Sequence, residues 1–309
     1  MLELLLTTTQ RKANYSWALL NGLPIKCRGA AVAIVNGKLY SFGGTREKEG
    51  NETNNEFSYS DTMITYDLET GESVRGTMPI LGRNSAQICS YGNNVYVMGG
   101  FHSITPGDFQ LREFNTITGT WAGRIALSST YAVNNLITHG EFIYATYYDL
   151  TNRRTVLARW NPNAPTNNWV TLAPFPAINY NNGVIVGYGN YIYYIGGRDG
   201  GTTTNIVYRY NISSNNWSIL NTIPLEFNDV VAVNAVDKIY LIKRSTVNPP
   251  MLYLFTENQT PTLVTTADGG IQPTTASGVA VRGNTIYLVG GISSVAPTGL
   301  TNQVAAVTV

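Results

Sequence analysis

Histidine and cysteine are almost missing from this chain, with two of each among 309 residues. That scarcity bears on whole classes of chemistry. Zinc and copper centres draw on His and Cys at short spacings, and neither a His-x-x-x-His nor a paired-Cys motif is present. Cys27 and Cys89 make no disulfide framework and read as two free, buried thiols. The Gly-x-Ser-x-Gly of a nucleophile elbow is missing too. The expectation is a protein with no metal and no cofactor. Charge is also scarce: Asp, Glu, Lys and Arg make up 13%, with a net +1. Such a chain projects no strong field, so no nucleic-acid partner is expected. No apolar run approaches the ~20 residues of a membrane helix, so no membrane insertion is expected. Leu2 to Leu6 is short for a signal-peptide core and lacks a preceding basic region. The sequence reads as made in the cytoplasm without a signal peptide.

What fills the chain instead is a repeat. A Tyr, two residues and a Gly pair recur as Tyr40 to Gly43-Gly44, Tyr96 to Gly99-Gly100, Tyr193 to Gly196-Gly197 and Tyr287 to Gly290-Gly291. Two more copies keep the Tyr and lose the glycines, at Tyr144 to Tyr147-Tyr148 and Tyr240 to Lys243-Arg244. The steps fall at 43, 99, 147, 196, 243 and 290. Before each Tyr comes a tight-turn pair: Asn36-Gly37, Gly92-Asn93, His139-Gly140, Gly189-Asn190, Val236-Asp237 and Gly283-Asn284. Asn, Gly and Asp accept the positive φ of two-residue hairpins. Small apolar runs precede the turns, such as Ala30 to Val35 and Gly278 to Val281. Each period thus reads as four short strands.

The third strand of a period ends in an aromatic and a turn residue: Tyr66-Asp67, Phe114-Asn115, Trp160-Asn161, Tyr210-Asn211 and Phe255-Thr256. The fourth opens with Trp121, Trp169 or Trp217, with Ser73 and Thr262 at the corresponding places in the first and fifth repeats. Tyr-x-x-Gly-Gly, then Tyr-Asp, then Trp, at a period near 50, resembles the kelch family over roughly residues 14 to 309. The resemblance implies an all-β, six-bladed kelch-type β-propeller with four antiparallel strands per blade. The last repeat supplies only three strands, ending at Val309, while Trp17 to Leu20 has the layout of an orphan fourth strand. The ring is therefore expected to close by the N-terminal strand joining the C-terminal blade, which leaves few open edges. Residues 13–309 form the propeller on this reading. Residues 1–12 form a tail or a docking segment for an assembly partner.

Function is less legible than fold. A propeller has two faces of loops, and the kelch resemblance nominates the face that carries the inter-blade links and the connections after each second strand. Arg28, Arg83, Tyr131 and Tyr180 sit in those links, and His102 and Arg198 follow Gly pairs; these six are the candidate ligand-binding residues. Tyr can stack on a sugar, and Arg can hold a carboxylate, so a glycan or a protein is the expected partner. The loop Thr45 to Asp61 carries the densest charge on the chain and reads as a mobile loop or a contact arm. His139 reads as a turn residue on the opposite face.

No catalytic residue is nominated. The Asn- and Thr-rich, weakly charged composition points to a non-enzymatic binding or structural module. The expected setting is a phage or viral virion or a bacterial surface recognition protein, exposed on the virion or cell surface. A kelch-type sugar mutarotase or epimerase is the alternative. It would use Asp199, His102, Arg83 and Arg198, although Asp199 also begins an ordinary Asp-Gly turn. An intracellular protein-interaction scaffold is the third reading. Fold alone does not choose among them.

Overall fold

The structure, a computed structural model, describes residues 15–79, 82–101, 109–127, 131–164, 168–220, 222 and 229–309. Six four-stranded antiparallel sheets follow one another along these residues. Blade one is Ala31–Val35, Lys38–Phe42, Thr62–Asp67 and Ser73–Thr77. Blade two is Gln87–Tyr91, Asn94–Met98, Gln110–Asn115 and Thr120–Ala126. Blade three is Tyr131–His139, Phe142–Asp149, Arg154–Trp160 and Val170–Thr171, and blade four is Val184–Tyr188, Tyr191–Ile195, Val207–Asn211 and Asn216–Ile219. Blade five is Val230–Ala235, Lys238–Lys243, Met251–Phe255 and Thr262–Thr266. Blade six takes Gly278–Arg282, Thr285–Val289 and Val304–Thr308 from one end of the chain and Ser16–Leu20 from the other. The first strand of each blade touches the first strand of the next, and the sixth returns to the first. The ring is closed, and the expected strand exchange is what closes it: Ser16 pairs with Thr308 and Leu20 with Val304. The tail expected at residues 1–12 lies outside the described residues.

Period-two alternation sends the two faces of every strand into different cores. In blade four, Ile192 and Tyr194 pack toward blade three, while Tyr193 and Ile195 pack toward blade five. A strand buried on both faces reads as an unbroken apolar run, here Tyr-Ile-Tyr-Tyr-Ile. Six hydrophobic cores result, one at each junction between blades.

The repeat aromatics meet across these junctions. Each repeat Tyr faces the following blade, and each third-strand aromatic faces the preceding one. Tyr40 meets Phe114, Tyr96 meets Trp160, and Tyr193 meets Phe255, each with ring centroids 5.8 Å apart and edge to face. Such pairs contribute about 0.5–1.5 kcal/mol beyond the area they bury. Trp121, Trp169, Trp217 and Trp17 join the same cores from the outermost strands.

The residue after the aromatic turns the chain. Asp67 Oδ1 accepts the N–H groups of Glu69 and Thr70, and Asn115 and Asn211 act alike on the two residues beyond their successors. The hairpin turns fall where expected in five blades. In the third, the turn is Gly140-Glu141, and His139 belongs to the inner strand opposite Phe142. Its Nε2 lies 2.8 Å from the Gly189 carbonyl of the next blade.

Candidate functional site

The Gly pairs explain how the links are held. Gly44 and Gly197 have φ of 86° and 110°. A Cβ on either would stand 2.5–2.6 Å from a link carbonyl, that of Arg28 or Asn181. Only glycine admits both the conformation and the approach. The peptide thereby reaches its neighbour: the Gly291 N–H donates to the Cys27 carbonyl at 2.7 Å. Just before the inner strands of blades one, two, four, five and six the link carries a left-handed residue: Gly29, Ser85, Asn182, Asp229 and Ala276. These residues bond around the mouth of the ring, where Ser85 N–H donates to Gly29 O and Gly29 N–H donates to Ala276 O, both at 2.9 Å. The sequence reading missed this repeat feature because its side chains share no chemistry.

Where glycines are missing, other devices hold the links. In blade three the ladder runs on through Tyr147-Tyr148 to Asp149, opposite Tyr131. In blade five Arg244 is largely enclosed, its side chain 11% exposed, and is bonded through Nη2 to the Asp229 carboxylate and through Nη1 to the Ser277 carbonyl. Burial lowers its pKa more than Asp229 raises it.

The nominated residues fall into distinct places. Tyr180 is 0% exposed. Its hydroxyl donates to Gly196 O at 2.9 Å and bonds Thr204 Oγ1, and burial raises its pKa to about 12. It is a packing residue between blades three and four rather than a rim residue. Arg83 is also buried, with Nη1 on the Gly99 carbonyl at 3.2 Å. Its position one residue earlier in the link than an exposed one turns it inward. Tyr131 opens the inner strand of blade three, and its side chain lies outside the described residues, as does His102. Arg28 and Arg198 are exposed on the loop face. Arg28 pairs in a two-residue ladder with Thr45, and Arg198 pairs with Asn181. They stand by blades one and four, across the ring, so these two do not meet.

The segment after Gly44 is folded. It carries the ladder strand Thr45–Arg46 and the helix Asn54–Ser58, whose Glu56 carboxylate accepts the Thr53 N–H. Arg46 is 6% exposed and binds the Glu52 carboxylate, Ser60 Oγ and Glu47 O. Bonding to that guanidinium lowers the Glu52 pKa to about 2. Arg75 grips Glu49 with two bonds of 2.8 and 2.9 Å, and Lys26 pairs with Glu47. The segment expected as a mobile loop or a contact arm is thus anchored by three of its acids, Glu47, Glu49 and Glu52, while Lys48 stays exposed. Sequence density showed the charges but not their partners.

Two open clefts flank this lobe. One, about 530 Å3, is lined by Glu52, Glu56, Tyr59, Asp61 and Met78 beside Arg46. The other, about 630 Å3, lies toward blade six and carries Arg28, Lys48, Phe57, Ile292 and Leu300. Among the described residues no group of three or more His, Cys, Asp or Glu could hold a metal ion. No helix there is long and apolar enough to cross a membrane.

Comparison with known proteins agrees with this architecture. Residues 181–224, which include the four strands of blade four, match the Kelch motif family. The fold is similar to the solved structure of YjhT, with a TM-score of 0.65 and 14% sequence identity, over 94% of this chain and 97% of that one. At that identity the likeness speaks for fold alone. No curated protein matches the chain in sequence. The motif match, the in-register Tyr-x-x-Gly-Gly steps and the closed ring of four-stranded blades together support a kelch-type β-propeller.

Proposed function

We propose that this propeller is a binding module that meets a protein partner through its loop face. The observation that carries this is a set of apolar tips on that face. Phe101, Leu150, Ile178, Val247 and Val295 are each 60–67% exposed. Val247 and Val295 are neighbours, because Ser294 bonds the Thr246 carbonyl through both its N–H and its hydroxyl. Apolar groups held open among polar loops mark interaction surfaces. Exposed Arg28 and Arg198 on the same face would add orientation. A sugar-stacking surface is less well supported, since the Tyr180 ring is enclosed. Placement on a virion or cell surface rests on the Asn- and Thr-rich, weakly charged composition.

Arrays of peptides, proteins and glycans probed with the labelled full chain test the reading. Phe101→Asp with Val295→Asp should abolish binding. Ile117→Asp with Val236→Asp, on the opposite face, should leave it within twofold. The reverse pattern would refute a loop-face binder. Interconversion of an added reducing sugar, followed by NMR, would favour the enzyme instead.

A further inference from the structure

We infer that the off-axis cleft between the blade-one lobe and the blade-six loop binds an acidic–apolar peptide segment of the partner, a carboxylate side chain next to an aliphatic one. This rests on the binding-module reading above and gives one sector of the face its chemistry.

Lys26, Arg28, Arg46, Lys48 and Arg75 surround the lobe, against the acids Glu47, Glu49 and Glu52. Glu47 is held by Lys26, Glu49 by Arg75, and Glu52 by Arg46. The lobe's two other carboxylates, Glu56 and Asp61, line the other cleft. Arg28 and Lys48 are exposed, have no acidic partner among the described residues, and both line the 630 Å3 cleft. Arg46 also borders it, but its guanidinium is committed to Glu52.

The wall opposite the cations is apolar. Phe57, Ile292 and Leu300 are half-buried there, with Thr298 at the edge. Ile292 is fixed on both sides, bridged to Thr275 in the link and to Leu300 across its own loop. The carboxylate of the lining, Glu47, is paired with Lys26, so a ligand seated there meets two uncommitted cations and an apolar wall together. A carboxylate satisfies the first and an aliphatic side chain the second. The wall is aliphatic apart from the Phe57 ring and carries no Tyr or Trp plane, which favours a peptide over a sugar ring. The ladder between Arg28 and Thr45 fixes the backbone under the cation, so little ordering is needed on binding.

Fluorescence anisotropy with the full chain decides the matter. The probes are a labelled Gly-Glu-Leu-Glu-Leu-Gly peptide and its Gln counterpart. The acidic peptide should bind at least tenfold tighter, and its affinity should fall with salt. Arg28→Glu with Lys48→Glu should remove at least tenfold, and so should Ile292→Asp, which leaves both cations in place. Equal binding of the two peptides, or no loss in the charge-reversed variant, overturns the proposal. If array binding is lost in Phe101→Asp with Val295→Asp yet unchanged in Arg28→Glu with Lys48→Glu, the cleft assignment fails while the loop-face reading stands. Glu3→Lys in the full chain should leave affinity unchanged. A tenfold gain there would assign the cleft to the chain's own Leu2 to Leu6 and overturn the partner. Equally tight, Arg28-dependent binding of an oligogalacturonate would overturn the peptide in favour of an acidic glycan.

Discussion

A repeat tyrosine in this chain belongs to two blades at once. Tyr96 is 2% exposed, and its ring meets Trp160 of the next blade edge to face. Tyr96→Ala should lower unfolding free energy by about 3–5 kcal/mol in urea titration, in line with aromatic truncation in cores. A loss below 1 kcal/mol would mean that the junction is not packed as described. Strain offers a gain elsewhere. Val236 opens its hairpin turn at φ 50°, where the other turns have Asn36, Gly92, Gly140, Gly189 and Gly283. A β-branched residue pays about 1–2 kcal/mol for that conformation. Val236→Asn should therefore raise the urea midpoint, by about 1 kcal/mol in stability. The two thiols are enclosed, and burial raises each pKa to about 12. Iodoacetamide at pH 8 should leave Cys27 and Cys89 unmodified in the native protein and alkylate both in denaturant. Rapid native labelling of either would contradict its burial.

Elements explain what could and could not be read beforehand. The blade strands were legible because their signals are local: Tyr40 sits three residues from Gly43, and Asp67 turns the chain within three residues. The site was not, because its determinants are contacts between links. Arg83 and Arg28 look alike in sequence, yet the first reaches in to Gly99 O and the second stands in solvent. Tyr180 resembles a rim aromatic until Gly196 and Thr204 claim its hydroxyl.

The lobe at 45–61 makes the same point through charge, and its fasteners titrate. The Arg46 bond lowers the Glu52 pKa from 4.5 to about 2. A carboxyl so depressed adds stability above its unfolded value and loses it as pH falls toward the folded one. The lobe should resist thermolysin at pH 6 and be cut by pepsin within residues 47–57 as pH drops from 4 toward 2, before any blade is cut. Arg46→Ala should make it cleavable at pH 6. Equal resistance in both proteins across that range would show that the clamp does not hold the lobe.

At the scale of the molecule, both ends of the chain share one blade. Ser16–Leu20 is hydrogen-bonded to Val304–Thr308, and Trp17 fills the core between blades five and six. The ring is thus closed by strands from the two ends of the described chain. The central claim is that this closed ring presents one face, that of the links, to a partner. The direct measurement is amide hydrogen exchange by mass spectrometry, comparing the isolated full chain with the chain in its native assembly. The account predicts new protection in the links around Arg28, Asn84 and Asn181 and in the loops at 45–53 and 292–301, with exchange at the two-residue turns unchanged. Protection confined to the turns at 36–37, 189–190 and 236–237, with the links unaffected, would contradict it.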